Sequence, residues 1–139
     1  MPDQKDYNRQ VIEEFRANRS QGLVEERPRL LLTTTGAKSG LPRTTPLMYV
    51  PHGNNLLVIA SNAGAPAHPA WYYNLLAHPV VTVEYKDETF EATANAVKGA
   101  EREQLWRDLV KKYSFFADHQ QKVSRQIPVV ILERNTNGK

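Results

Sequence analysis

The sequence predicts an α+β protein: a small β-barrel of about six mainly antiparallel strands with helices inserted at its edges. Two observations lead there. The β-prone runs are short and joined by connections too short for helical crossovers, which makes neighbouring strands antiparallel. Helical spacing of apolar residues appears only in segments that flank or interrupt those runs. The chain has 139 residues, enough for one domain. With 40% hydrophobic and 24% charged residues it can bury a core of ordinary size.

Residues Asp6 to Asn18 place Val11, Ile12 and Phe15 on one face among Arg, Glu and Gln, an amphipathic helix with Gly22 as its expected stop. Leu30 to Thr35 reads as the first strand, ended by the loop GAKSGLPR. Pro46 to Val50 reads as the second; after a turn at Pro51-His52-Gly53-Asn54-Asn55, Leu56 to Ser61 reads as the third. The segment PAWYYNLLAHP suits a short helix, with Pro69 in its first turn and Pro79 ending it. Val80 to Tyr85 and Thr89 to Val97 form a hairpin about Lys86-Asp87-Glu88. From Gly99 to Tyr113 the residues Leu105, Trp106, Leu109 and Val110 recur at helical spacing. A looser aromatic segment follows, and Ile127 to Leu132 reads as a last, buried strand. The expected organisation is residues 1–25 as helix and linker, then 26–139 as the barrel.

Composition removes several kinds of chemistry. There is no cysteine, hence no disulfide framework, thiolate metal site or cysteine nucleophile, which fits a cytoplasmic protein. The four histidines show no metal-ligand spacing, so no metal site is expected. The serines lack a nucleophile-elbow pattern. No basic patch interleaves with aromatics, so a nucleic-acid partner is not expected. The start is polar and no apolar run approaches the length of a membrane span. Net charge is only +3, which matters if the excess is clustered.

Three segments can carry function. In Gly36-Ala37-Lys38-Ser39-Gly40-Leu41-Pro42-Arg43, two glycines and two cations on one connection can cradle an anion, or simply form a solvated hairpin loop. It is not a P-loop, because Leu32 and Ala37 stand where that motif needs glycines. Ser61-Asn62-Ala63-Gly64, leading to His68-Pro69-Ala70-Trp71-Tyr72-Tyr73-Asn74, offers a strand end that a flat ring can approach and aromatics that can wall it or merely pack. Tyr113-Ser114-Phe115-Phe116-Ala117-Asp118-His119 can cap a pocket or plug the barrel, and in it Tyr113 and His119 are the groups suited to donate a proton.

Taken together, TTGAKSGLPRTTPLMYV, VIASNAGAPAHPAWYYNLLAHPVVTVEY and IPVVILER resemble the deazaflavin (coenzyme F-420)-dependent nitroreductase family of actinobacteria. That family has a split β-barrel related to the FMN-binding pyridoxamine phosphate oxidases. The resemblance implies a cytoplasmic oxidoreductase passing hydride from reduced F-420 to a flat electron-poor acceptor such as a quinone, enone or nitroaromatic. FMN is the alternative cofactor, and a non-catalytic barrel holding an apolar ligand is the alternative from another class. It further implies that Ala37, Lys38, Ser39 and Arg43 lie near the cofactor's phosphate and acidic tail. Thr44, Thr45, Pro46, Leu47 and Met48 would run beside the ring, Ile59, Ala60, Ser61 and Asn62 under it, and Ala70, Trp71, Tyr72, Tyr73 and Asn74 would complete the pocket. Tyr113, Phe116 and His119 match the substrate wall, with Ser61, Tyr113 and His119 as the catalytic candidates. The family commonly has tyrosines at the last two of those wall positions, so Phe116 and His119 are departures. A homodimer, and a weak membrane contact through the first helix with Arg9, Arg16 and Arg19 beside its apolar face, complete the expected partners.

Overall fold

The computed structural model describes residues 4–20, 29–86 and 88–135. Its elements are α1 (Gln4–Ser20), β1 (Arg29–Thr35), β2 (Pro42–Met48), β3 (Val50–His52), β4 (Asn55–Ile59), a 3-10 turn (Asn62–Gly64), α2 (Ala70–Ala77), β5 (Val80–Tyr85), β6 (Glu88–Ala96), α3 (Gly99–Lys112), α4 (Phe115–Gln121) and β7 (Val129–Arg134). The strands form one antiparallel sheet in the order β2-β1-β5-β6-β7-β4-β3. Its two edge strands, β2 and β3, are consecutive in the chain and joined through Tyr49, so the sheet curls back on itself without pairing shut. This is a split β-barrel, α+β as the sequence implies.

Where the expected six strands become seven, the physical reason is visible. The run read as Pro46 to Val50 is the end of one strand and the start of another, and β2 begins at Pro42, inside what reads as a loop. Prolines at 42 and 46 are tolerated because β2 is an edge strand with β1 on one side only. The aromatic segment after α3 is also ordered, as α4.

Alternation divides β1. Leu30, Leu32 and Thr34 point into the barrel, and Leu31 points outward; all are buried. The interior is filled by these leucines with Val58, Val81, Val83, Val130, Leu132, Trp71 and Leu75. Outside, Leu57, Val97, Val129 and Ile131 pack under Leu105 and Trp106 of α3. Leu31 shares its outer face with Pro46 and Glu84 on the neighbouring strands, and Arg16 of α1 reaches that same Glu84 through bonds of 3.1 and 2.7 Å. So α1 lies over this face, with Val11 and Phe15 buried.

This docking corrects the expected membrane contact. The apolar face that would enter lipid is spent on the barrel, Arg9 pairs with Asp6 at 3.3 Å, and Arg16 pairs with Glu84. The side chain of Arg19, and the stop at Gly22 with the linker, lie outside the described residues. No helix among the described residues is long and apolar enough to cross a membrane.

Candidate active site

Because the sheet stays open, a cavity of about 620 Å³ forms at the split. Thr45, Pro46, Leu47 and Met48 of β2 make one wall, and Ile59, Ser61 and Asn62 at the end of β4 make another. Pro69, Ala70 and Trp71 at the start of α2, together with His68, supply the third. Phe115, Phe116 and His119 of α4 cover it, and Asn8 of α1 closes one side. Edge strand, strand end and helix start therefore converge on one cavity. Asn8, His68, Pro69 and Phe115 join them from outside the expected site.

Two features hold the strand end open to a ligand. Asn62 takes φ 51°, a left-handed conformation asparagine tolerates better than most residues, and its Nδ2 donates to Ala67 O at 3.0 Å. Gly64 takes φ 82°, and a Cβ there would stand 3.1 Å from Lys122 Cδ and 3.6 Å from His119 Cα. Glycine thus lets the 3-10 turn seat against α4. The Ser61 hydroxyl, in the cavity wall, makes no hydrogen bond among the described residues. The His119 Nδ1 is buried without a partner among them.

The aromatic cover is a helix face. In α4, the rings of Phe115 and Phe116 meet His119 at 5.7 and 6.1 Å, as the i, i+4 and i, i+3 spacings dictate, and the two neighbouring phenyl rings lie 4.3 Å apart. Tyr113 precedes α4 as the C-cap of α3, its ring 6.1 Å from Phe115 and 6.4 Å from Phe116. It does not line the cavity. Of the three residues expected in the substrate wall, Phe116 and His119 line the cavity and Tyr113 does not, while Phe115 does.

In the glycine-rich loop four amides are engaged: Gly36 N donates to Leu41 O, Gly40 N to Gly36 O, Leu41 N to the Ser39 hydroxyl and Ala37 N to Asn74 Oδ1 at 2.9 Å. The amides of Lys38 and Ser39 make no hydrogen bond among the described residues. Lys38 and Arg43 are exposed and have no acidic partner among the described residues. Ala37, Ser39 and Thr44 lie on or beside this loop, outside the cavity wall; Thr44 turns its hydroxyl to that of Thr33, 2.8 Å away. Ala60, Tyr72, Tyr73 and Asn74 lie behind the wall. Asn74 is a latch, its Nδ2 donating to the buried Thr34 hydroxyl at 3.1 Å while its Oδ1 holds the loop. Burial, and then neighbouring Tyr73, raise the phenol of Tyr72 above its ordinary range.

Sequence reasoning missed Arg125, in the connection from α4 to β7. Its guanidinium donates to Ala60 O at 3.2 Å, Ser61 O at 2.9 Å and Ala65 O at 3.1 and 3.3 Å, and contacts His68 Nδ1 at 2.9 Å. It ties the strand end to the start of α2. Burial, and then the Arg125 charge, lower the His68 imidazole below its ordinary value.

The family model for F420H(2)-dependent quinone reductase matches residues 7–134. The chain belongs to that family. It is an oxidoreductase whose cofactor is coenzyme F-420, and the residues present suit such a group: exposed cations without an acidic partner for an acidic tail, and a cavity lined by aromatic rings. This family member is 40% identical over 110 residues to an F420H(2)-dependent quinone reductase of Mycobacterium tuberculosis (strain H37Rv), covering 77% of this chain and 74% of that protein. A solved F420-H2 dependent reductase is 44% identical, with a TM-score of 0.70 over 79% of this chain and 97% of that one. A structure described as a domain-swapped dimer is 39% identical, with a TM-score of 0.73 over 94% of this chain and all of the other. A protein of the pyridoxinephosphate oxidase family from Clostridium acetobutylicum, 16% identical with a TM-score of 0.55 over 88% of this chain and 84% of that one, shares the fold alone.

Proposed function

We propose that this protein reduces quinones with F-420, and that the cavity at the barrel's split holds the deazaflavin ring and the acceptor together. The observation that carries the reading is the layout of β2. Lys38 and Arg43 stand at its first end without acidic partners, and Thr45 to Met48 line the cavity at its other end. From Arg43 to Met48 an extended strand spans roughly 15 Å, the reach needed by a cofactor with a flat ring at one end and an acidic tail at the other.

When bound, the cofactor supplies a hydride. The chain's own residues bind, orient and exclude water. Lys38 and Arg43 take the tail as exposed cations, and the Ser39 hydroxyl faces the same loop. Thr45, Pro46, Leu47 and Met48, with Ile59, Asn62, Ala70 and Trp71, confine the ring. Phe115 and Phe116 dry the acceptor side. As hydride reaches a quinone, negative charge grows on its oxygen. The Ser61 hydroxyl, in the wall and without a hydrogen bond among the described residues, and the His119 imidazole, also in the wall, are the groups to meet that charge. Nitroaromatics and enones are secondary acceptors, the former slowed by the absence of a phenol at Phe116.

A second copy of the chain is a further partner. Tyr73, Leu76 and Val80 expose 48%, 55% and 51% of their surface on and just after α2, and a structure 39% identical is described as a dimer. The function is tested by mixing reduced F-420 with menadione and following the return of the oxidised cofactor's absorbance. Turnover that saturates in both components supports the reading; reduction no faster than without protein overturns it.

A further inference from the structure

His68 and Arg125 lie 57 residues apart in sequence and meet at the wall of the cavity. Arg125 has only donors, so the 2.9 Å contact requires a lone pair on His68 Nδ1. A neutral imidazole with a bare Nδ1 carries its proton on Nε2. That nitrogen makes no hydrogen bond among the described residues, and it is not among the buried atoms left without a partner, so it remains reachable. The ring cannot turn freely to another tautomer's geometry. Tyr72 packs against it at 4.8 Å and Tyr73 at 5.6 Å, while Arg125 is itself held by three carbonyls of the strand end and turn.

We propose that His68 is a further hydrogen-bond donor that this cavity presents to a carbonyl oxygen of a ring bound in it, and that Arg125 is the positioning residue that fixes the donating tautomer. The inference rests on the reading of the cavity as the site of F-420 and a quinone. Both carry ring carbonyls, and the shared chemistry is an oxygen that accepts from Nε2–H. The guanidinium also ties this donor to the backbone of Ala60 and Ser61, so the donor and the strand end move as one unit.

The test has a ligand-free arm and a binding arm. In the free protein at neutral pH, the imidazole 15N shifts of His68 should report a protonated Nε2 and a bare Nδ1. In Arg125→Met, or Arg125→Gln if the first does not fold, the two tautomers should become mixed. A purely structural arginine would leave the tautomer unchanged, and that result, or a protonated Nδ1 in the wild type, overturns the proposal. In the binding arm, His68→Phe should weaken one ring by about five- to tenfold, the size of one hydrogen bond. The loss appears in the F-420 dissociation constant if that ring is the cofactor's, and in the menadione KM alone if it is the acceptor's. His68→Gln, which keeps an amide donor near the Nε2 position, should recover most of it. Unchanged F-420 affinity together with unchanged menadione KM in His68→Phe overturns the donor role. Wild-type protein that binds no F-420 overturns the proposed function and the donor role with it, while the tautomer result is read independently in the free protein.

Discussion

The amide of Ala37 donates to the side-chain oxygen of Asn74 at 2.9 Å, fastening the loop that carries Lys38 to the middle of α2. Asn74 is 9% exposed and also donates to the buried Thr34 hydroxyl, so both ends of its amide are engaged. Asn74→Leu removes both bonds, leaving Thr34 only its 3.5 Å bond to Arg43 O and Ala37 N to solvent, and should cost about 1 to 3 kcal/mol. Urea unfolding should show a lower midpoint with the slope unchanged. The same variant should weaken F-420 binding although Asn74 does not line the cavity.

Lys38 and Arg43 act as exposed charges rather than as a formed pocket. Lys38→Ala with Arg43→Ala should raise the F-420 dissociation constant about tenfold at low salt and much less at high salt, because exposed charges are screened. Stability should stay within about 0.5 kcal/mol of wild type, as for most surface changes. Equal affinities of variant and wild type at low salt would show that the loop is only a solvated turn.

This loop and β2 show what was legible in the sequence. Two cations beside two glycines are what an anion site or a solvated hairpin loop would both show, and Thr45 to Met48 follow as a strand. What hid the first half of β2 is that proline rules describe interior strands, whereas β2 is an edge, a fact of topology that no local pattern contains. The segment FFADHQQ has no side-chain cap at its start, so α4 arises from packing on the 3-10 turn through Gly64 rather than from a local signal. Arg125 could not be found at all, since its partners are carbonyls brought near by the closure of the barrel.

The docking of α1 is testable. Phe15 is 4% exposed, and Phe15→Ala should destabilise by about 3 to 4 kcal/mol if the helix unfolds with the barrel. Arg16 is half exposed, so Arg16→Gln should cost no more than about 1 kcal/mol. Sedimentation with anionic liposomes should leave the full chain in the supernatant. A pellet that disappears on removal of residues 1–20 would instead return the apolar face to a membrane.

Acid should act through His68. Its pKa is lowered in the folded protein, so the native state takes up a proton less readily than the unfolded chain. The stability it contributes is whole above the unfolded value of about 6.5 and is lost as pH falls from there through the folded value. Arg125, Tyr72 and Tyr73 face the ring, and only Arg125 is charged in that range. Urea midpoints measured from pH 7 to pH 5 should fall less steeply in His68→Gln than in wild type, and parallel curves would contradict the assignment.

Phe116 is buried against Phe115 at 4.3 Å, beside the unpartnered His119 Nδ1. Phe116→Tyr adds a phenol to the acceptor wall and should raise the reduction of a nitroaromatic at least tenfold with little change in F-420 affinity. Menadione, whose reduced oxygens take protons readily from water, should gain less. The decay of reduced F-420 with each acceptor reads both effects.

The central claim is that F-420 occupies the cavity at the split of the barrel. It is tested most directly by fluorescence titration of wild type and Ala70→Trp with F-420, using FMN as comparator. Ala70 is an exposed residue in the cavity wall, so a tryptophan there fills the cavity without entering the core. Saturable F-420 binding by the wild type, tighter than FMN, and its loss in Ala70→Trp at unchanged thermal midpoint, is the predicted result. F-420 binding equally well to both proteins, or FMN binding as tightly as F-420, would contradict it.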